Sequence, residues 1–345
     1  MPPPPPTTTT PALSPAELSF LHASLALHPP LRPDGRAPTQ SRPLVAETGL
    51  LPHVYGSARV ALDGDGGGEC VVGVRADVVE QKDGDGVEVA LEVPGCRDDD
   101  PAVAALSAAV TEVLAGMSLR LELGTRWRWR LVVDVLLLGP PLAYPLPLLS
   151  TALHLALRST RLPALAPGHA PADDPLFDDD WEAARPLCEG SDGHDGPDGA
   201  DGADGADAPI TLLAIAVADS VLFDPSPAEL AVADAVVALA LAPAECGCRL
   251  LALRTIDPPS RRTPAGVLRG VAGADPAAAP TTPATPASPA APDPAAARER
   301  DQGRSVWRPP RGGVSRAVLA RMIAEATREG GVGAGVLGAL RGVES

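Results

Sequence analysis

Two tracts of this chain cannot build a core, and they dictate how the remainder must fold. Between Asp173 and Ala208 there are 13 acidic residues and one basic residue, Arg185, and the tract runs out in Asp-Gly-Ala triplets. So acidic and aromatic-poor a stretch buries too little apolar surface to offset the entropy lost on ordering. The second tract, Pro258 to Gly313, is dominated by Pro, Ala and Thr. The 345 residues therefore divide into a disordered tail (1–12), a folded half (13–165), an acidic low-complexity linker (166–208) and a second folded half (209–345) that carries the disordered insertion 258–313. Each folded half is long enough for a core of its own.

The acidic tract also distorts the global charge. The formal net charge is −16, and 13 acids against one arginine place −12 of it between Asp173 and Ala208. The rest is close to neutral, so the acidic balance does not exclude a nucleic-acid partner. Five cysteines and a Pro- and Thr-rich start without a basic-then-apolar leader predict a reducing, intracellular setting. No apolar run reaches the ~18 residues of a membrane span. Cys246-x-Cys248 has no second pair to complete a zinc site, and the Asp-rich stretches at 63–68 and 81–86 lack the ligand order of a calcium loop. These are read as turns; no metal or cofactor is expected.

Local patterning places the elements. Ser14-Pro15-Ala-Glu17 has the residues of a capping box and opens a helix with Leu18, Leu21 and Leu25 inward. Strands are predicted over 57–62, 69–80 and 87–93, the last with Glu88 and Glu92 facing away from its apolar side. Asp100-Pro101 starts a helix to about Met117, with Val103, Leu106, Val110, Val113 and Met117 on one face. Trp127 to Leu138 alternates first and then turns apolar on both sides, as for a strand entering a sheet centre. A helix over 147–162 carries Leu149, Ala152, Leu153, Ala156 and Leu157 inward, with His154 at the stripe's edge. The second half offers strands at 210–218, 235–242 and 248–256 and one helix from Val314 to about Leu340, loosened at Gly330-Gly331.

Several segments together carry a resemblance. Leu31-Arg32-Pro-Asp34-Gly35-Arg36, Arg42-Pro-Leu-Val-Ala-Glu-Thr-Gly49 and Gly56-Ser57-Ala-Arg-Val60 resemble, in order and spacing, the opening signature of the RNase PH family. Gly95-Cys-Arg97-Asp-Asp-Asp100 and Val132-Val-Asp134-Val-Leu-Leu-Leu138 are similar to the non-catalytic ring subunits of the eukaryotic RNA exosome. So is Leu222-Phe-Asp224-Pro225-Ser-Pro-Ala-Glu229, with Ser226 and Leu230 departing from the usual Thr and second Glu. The resemblance implies an α+β protein of two βα repeats with the RNase PH (ribosomal protein S5 domain 2-like) fold. It also implies ring neighbours of the same family, cap subunits of S1/KH type, RNA threaded through the ring, and residence in nucleus, nucleolus and cytoplasm.

In active relatives the strand of Asp134 continues into Asp-Gly-Gly-Thr-Arg, which supplies the carboxylate and the phosphate grip. Here that stretch is Gly139-Pro-Pro-Leu142-Ala143, with no side-chain donor for phosphate and two prolines without an N–H. The arginine-bearing segment that precedes the following helix in active relatives is reduced to Pro94–Asp100, with three aspartates beside Arg97. The resemblance therefore implies a structural exosome subunit that supports RNA processing and degradation from the 3′ end without catalysing it. The alternatives are an active phosphorolytic exoribonuclease and a free-standing RNA-binding protein. Arg97 and the row Arg126, Arg128 and Arg130, interleaved with Trp127 and Trp129, are candidate RNA contacts. Asp134 is read as a structural carboxylate, paired with Arg130 or a neighbouring helix. Arg32, Asp34, Gly35, Arg36, Gly56, Ser57, Asp224 and Pro225 are read as structural signature residues.

Overall fold

The structure, a computed structural model, describes residues 13–62, 68–81, 86–97, 99–117, 119, 121–139, 144–166, 174–188, 208–244, 246–262 and 307–343. The tail, the two Asp-rich turns, Asp98, the 140–143 stretch with Leu142 and Ala143, the triplet run and most of the 258–313 insertion lie outside the described residues.

Helix α1 (Pro15–Leu25) starts on the expected capping box. Ser14 N–H donates to Glu17 Oε2 at 2.7 Å and Glu17 N–H to Ser14 Oγ at 3.3 Å. Leu18, Leu21 and Leu25 are buried.

The first sheet contains β1 (Leu44–Thr48), β2 (Gly56–Leu62), β3 (Glu69–Glu80), β4 (Val87–Glu92) and β5 (Trp127–Gly139), ordered β1-β2-β3-β5-β4. Every pairing is antiparallel except β4 with β5, and that parallel pair is joined by α2 (Pro101–Ala115), the crossover such a pair requires. On α2, Val103, Leu106, Ala109, Val110 and Leu114 are buried, whereas Val113 is only half-buried. Along β5, Trp129, Leu131, Val133, Val135 and Leu137 face inward. The apolar second half of β5 is nonetheless open on its other side, where Leu138 is 47% exposed, so its composition does not mark burial on both faces.

Helix α3 (Leu146–Ser159) lies between the two sheets, packed on β2 and β3 on one side and β8 on the other. It is therefore buried nearly all round, including His154, which the stripe reading placed at an edge. A helix apolar on every face is an interior helix, and this one seats His154 Nδ1 2.6 Å from the Ala208 carbonyl. Where α3 ends it touches β2 backbone to backbone. A β-carbon at Gly56 would stand 2.2 Å from Thr160 Oγ1 and 2.7 Å from the Ala156 carbonyl. Ser57 joins the same seam, its N–H bonded to Ser159 Oγ at 3.1 Å and its Oγ accepting from Leu51 N–H at 3.0 Å.

The reading of all of 166–208 as a loop fails for residues 174–188. Leu165 bridges Phe177, and β6 (Arg161–Leu162) pairs with β7 (Arg185–Pro186). Phe177 packs on Trp129 at a centroid distance of 5.1 Å, and Trp181 stacks on Tyr55 at 6.1 Å. A few large apolar side chains among the acids are enough to fasten this strap where α3 no longer covers the first sheet.

The second sheet has β8 (Ile210–Val217), β9 (Ser220–Phe223), β10 (Ala235–Pro243) and β11 (Cys248–Ile256), ordered β11-β10-β8-β9. Strand β8 is buried throughout, and β10 up to its final proline, consistent with cover on both faces. A short α4 (Pro227–Leu230) follows β9. The expected C-terminal helix is two, α5 (Arg316–Thr327) and α6 (Val332–Arg341). The first helix ends at its C-cap Arg328, which is extended, and Gly330 in the link to the second takes φ +66°, in the left-handed region that glycine favours. The borders of the second insertion are packed: Ser260 Oγ donates to the Ala233 carbonyl at 2.5 Å, and Trp307 is buried edge-on to His22. The architecture is α+β, with two sheet-and-helix halves, as the sequence predicts.

Candidate functional site

The signature arginines converge on the second half of the chain. Residues 31–42 form an arm ahead of the first sheet. Its turn closes with Gly35 N–H on the Arg32 carbonyl at 3.1 Å, and Gly35 takes φ +73°, a conformation open to glycine at little cost. Asp34 accepts from Arg36 N–H at 3.1 Å and from Arg36 Nε at 2.6 Å, which fixes the direction of that guanidinium.

Opposite the arm, Asp224 has φ +48° and Pro225 is buried, and Ser226 caps α4 in a second capping box with Glu229. Arg32, with no exposed side-chain surface, donates Nε to Glu229 Oε1 and Nη2 to Glu229 Oε2, both at 2.8 Å. Its other N–H groups reach the carbonyls of Ala37 (3.2 Å), Phe223 (3.1 Å) and Asp224 (3.0 Å). Both partners of this buried pair are thus hydrogen-bonded, the condition under which a buried charge is tolerated. Asp224 receives Arg42 Nη2 on Oδ1 at 2.7 Å, and Arg42 N–H (2.6 Å) and Arg36 Nη1 (3.1 Å) on Oδ2.

Burial alone would push the Asp224 carboxyl up. The hydrogen bonds and charge of Arg42, with the charge of Arg36, outweigh it and hold the group below its ordinary 3.8. Asp34 is likewise lowered, because Arg36 and Arg32 outweigh its desolvation. Carboxylates lowered in the folded state add stability above their unfolded value and lose it as pH falls through the folded one. Urea midpoints measured between about pH 6 and about pH 2 should hold until near pH 4 and then fall, and Asp224→Asn should flatten that fall.

The second group of sequence candidates lies on the outer face of the first sheet. Asp134 pairs with Arg75 of β3, Oδ2 lying 2.8 Å from Nε and 2.7 Å from Nη2, and not with Arg130 as expected. The register explains this: Gly73 faces Asp134 and Arg75 faces Val132, so Arg75 is the diagonal neighbour across the ladder. Arg130 instead pairs with Asp77 directly opposite (3.3 Å), and Arg126 with Glu80 (2.8 Å) while its guanidinium lies 5.0 Å from the Trp127 ring. Arg97 pairs with Asp99 at 3.1 Å. Arg128 is half-buried, its Nη2 occupying the place a β-carbon on Gly86 would take.

Trp127 and Trp129 project to the other side of the strand, and Trp129 is buried under Phe177. Charge and ring stacking are therefore not offered on one track, a consequence of strand alternation that the interleaved sequence already contains. Gly139 ends β5 and carries no side chain. Among the described residues no group of three or more His, Cys, Asp or Glu is placed to hold a metal ion. No described helix is long and apolar enough to cross a membrane.

Two further short pieces, Leu13–Leu18 and 159–163, look most like ribosomal RNA-processing protein 42. Among curated proteins the chain is similar to the exosome complex component RRP42 of Saccharomyces cerevisiae, 38% identical over 160 residues that cover 45% of this chain and 59% of that protein. It is also similar to the exosome complex component rrp42 of Schizosaccharomyces pombe, 32% identical over 196 residues covering 51% and 65%. The chain thus spans less than two thirds of the length of the curated relatives it matches. No family model matches it. Similar solved structures include an Archaeoglobus fulgidus exosome with RNA bound to the active site, with 19% identity, 70% of this chain and 87% of that chain covered, and a TM-score of 0.47. An archaeal exosome core has 18% identity, 70% and 85% coverage, and a TM-score of 0.46.

Proposed function

We propose that this chain is a non-catalytic, structural subunit of an RNA exosome ring, supporting 3′-end processing and degradation of RNA such as ribosomal RNA maturation and messenger RNA turnover. The observation that carries the reading is its 38% identity to a protein named as the exosome component RRP42. The site chemistry supports it. Arg32, Arg36 and Arg42 are engaged by Glu229, Asp34 and Asp224, so the signature arginines hold the chain together and are not free to grip phosphate. Asp134 sits on an exposed sheet face in a pair with Arg75, and the carboxylate, threonine and arginine of active relatives are replaced by Gly139, Leu142 and Ala143. In this reading its neighbours are other RNase PH-like ring subunits and S1/KH cap subunits, RNA passes through the ring, and the assembly works in nucleus, nucleolus and cytoplasm.

Highly purified chain should release no nucleoside diphosphates from a 3′-labelled single-stranded RNA, with or without phosphate and magnesium. Native purification from its source should return it in a particle several times its own mass. Asp134→Asn should leave the particle's RNA turnover unchanged. Phosphate-dependent release that vanishes in Asp134→Asn would instead make the chain an exoribonuclease.

A further inference from the structure

We propose that the open edge of β4 is a docking site for an extended segment of a partner protein whose side chains alternate between basic and apolar. The inference rests on the sheet's geometry and not on the exosome reading.

Two of the other strand edges carry contacts from elsewhere in the chain. The arm and the chain just after α1 cover β9, where Phe223 N–H bonds the Pro38 carbonyl at 2.8 Å and Ser220 Oγ the Leu27 carbonyl at 3.3 Å. From β11, Arg254 reaches across to Glu112 of α2 at 2.6 Å. Strand β4 has β5 on one side and, among the described residues, no strand on the other. The phase of its free groups is fixed. Leu131 N–H bonds the Gly86 carbonyl at 2.9 Å, so in the parallel ladder Glu88, Ala90 and Glu92 bond to β5 while Val87, Val89 and Leu91 aim their N–H and C=O groups outward.

Three further observations specify the occupant. Val87, Val89 and Leu91 are only half-buried, whereas the inward residues Val72, Val74 and Val133 of inner strands are fully buried, so the inner layer is short of cover at this edge. Beyond Leu91, α2 turns Ala104, Ser107, Ala108 and Thr111 toward a groove of about 550 Å³, with Glu112, already paired with Arg254, also on its wall. An added strand would place every second side chain in that groove, and small or medium apolar ones fit. On the opposite face Glu88 and Glu92 are exposed and form no ion pair among the described residues, in contrast to the paired carboxylates of β3 and β5. Basic side chains on the added strand would face them diagonally. The same two glutamates disfavour RNA and disfavour a second β4 related by symmetry, since like charges would meet.

The test uses the full chain and a blocked peptide alternating Arg and Val over roughly eight residues, a typical strand length. It should bind, while the same residues in block order, or an alternating Glu and Val peptide, should bind at least about tenfold more weakly. The double variant Glu88→Lys, Glu92→Lys should reverse the preference toward the Glu and Val peptide. Val89→Pro removes an outward N–H from an edge strand, where proline is tolerated, and should abolish binding. Thermal melts check that this variant folds, and Val89→Thr, which keeps the N–H, should bind normally. Equal binding of the alternating and block-order peptides, or binding indifferent to the charge reversal, would overturn the proposal while leaving the exosome reading untouched.

Discussion

Glu229→Ala should destabilise the protein by about 3–5 kcal/mol, because it leaves Arg32 charged, buried and short of two of its acceptors. Both side chains of this pair are fully buried, and they are 197 residues apart in sequence. The substitution also removes the capping box of α4, whose Ser226 N–H donates to Glu229 Oε2 at 2.7 Å. The arm should therefore loosen from β9 and α4, and urea unfolding combined with limited proteolysis within 31–42 reports both effects. Adding Arg32→Met should recover part of the loss by removing the stranded charge. Recovery stays incomplete, since the carbonyls of Ala37, Phe223 and Asp224 then lose their donor. Asp134→Ala provides the contrast. Its pair with Arg75 is about half exposed on both sides, and such pairs contribute at most about 1 kcal/mol. A loss from Glu229→Ala no larger than that from Asp134→Ala would mean that the buried pair does not hold the halves together.

The same cluster marks how far the sequence is legible. Its arginines read as structural from the family signature, and Asp224 and Glu229 stand in a second matched segment. Nothing local announces that the two segments meet, because the contact closes a loop of nearly two hundred residues. Elements governed by local chemistry were accessible: the Ser14 capping box, the Asp100-Pro101 helix start and the β10–β11 pair all depend on neighbouring residues. Readings that depend on what covers a face went astray. The apolar run 135–138 does belong to a strand paired on both sides, but one of its faces is open, and α3, read as one-faced, is surrounded by apolar residues because β8 packs on its far side. For α3 the all-round apolarity was itself the signal. The partner of Asp134 required the β3–β5 register, which neither strand encodes alone.

Trp129→Ala should cost about 3–5 kcal/mol, the range for a buried tryptophan emptied to a methyl group. Trp129 is 5% exposed at the end of the first sheet's inner face, its N–H bonded to the Leu121 carbonyl at 2.7 Å. Phe177 covers one side of the ring at 5.1 Å and Tyr55 approaches at 6.2 Å. The loss therefore divides between the core and the strap. Phe177→Ala removes the strap's anchor but leaves Trp129 on the sheet, so it should expose 174–188 to protease with a smaller drop in the urea midpoint. Trp129→Ala should do both. Trp129→Phe preserves an aromatic floor and should restore protection of the strap with only a modest loss of stability. The strap's five acids against one arginine make it a poor candidate for order by composition, and its attachment rests on Phe177, Trp181 and the β6–β7 pair. If the strap stays protected in Trp129→Ala, the Phe177–Trp129 contact is not what holds it, and the Trp181–Tyr55 stack, the Leu165–Phe177 bridge and the β6–β7 pairing suffice. Cleavage confined to 174–188 with the core still folded would place the strap's main hold on the fold at these rings.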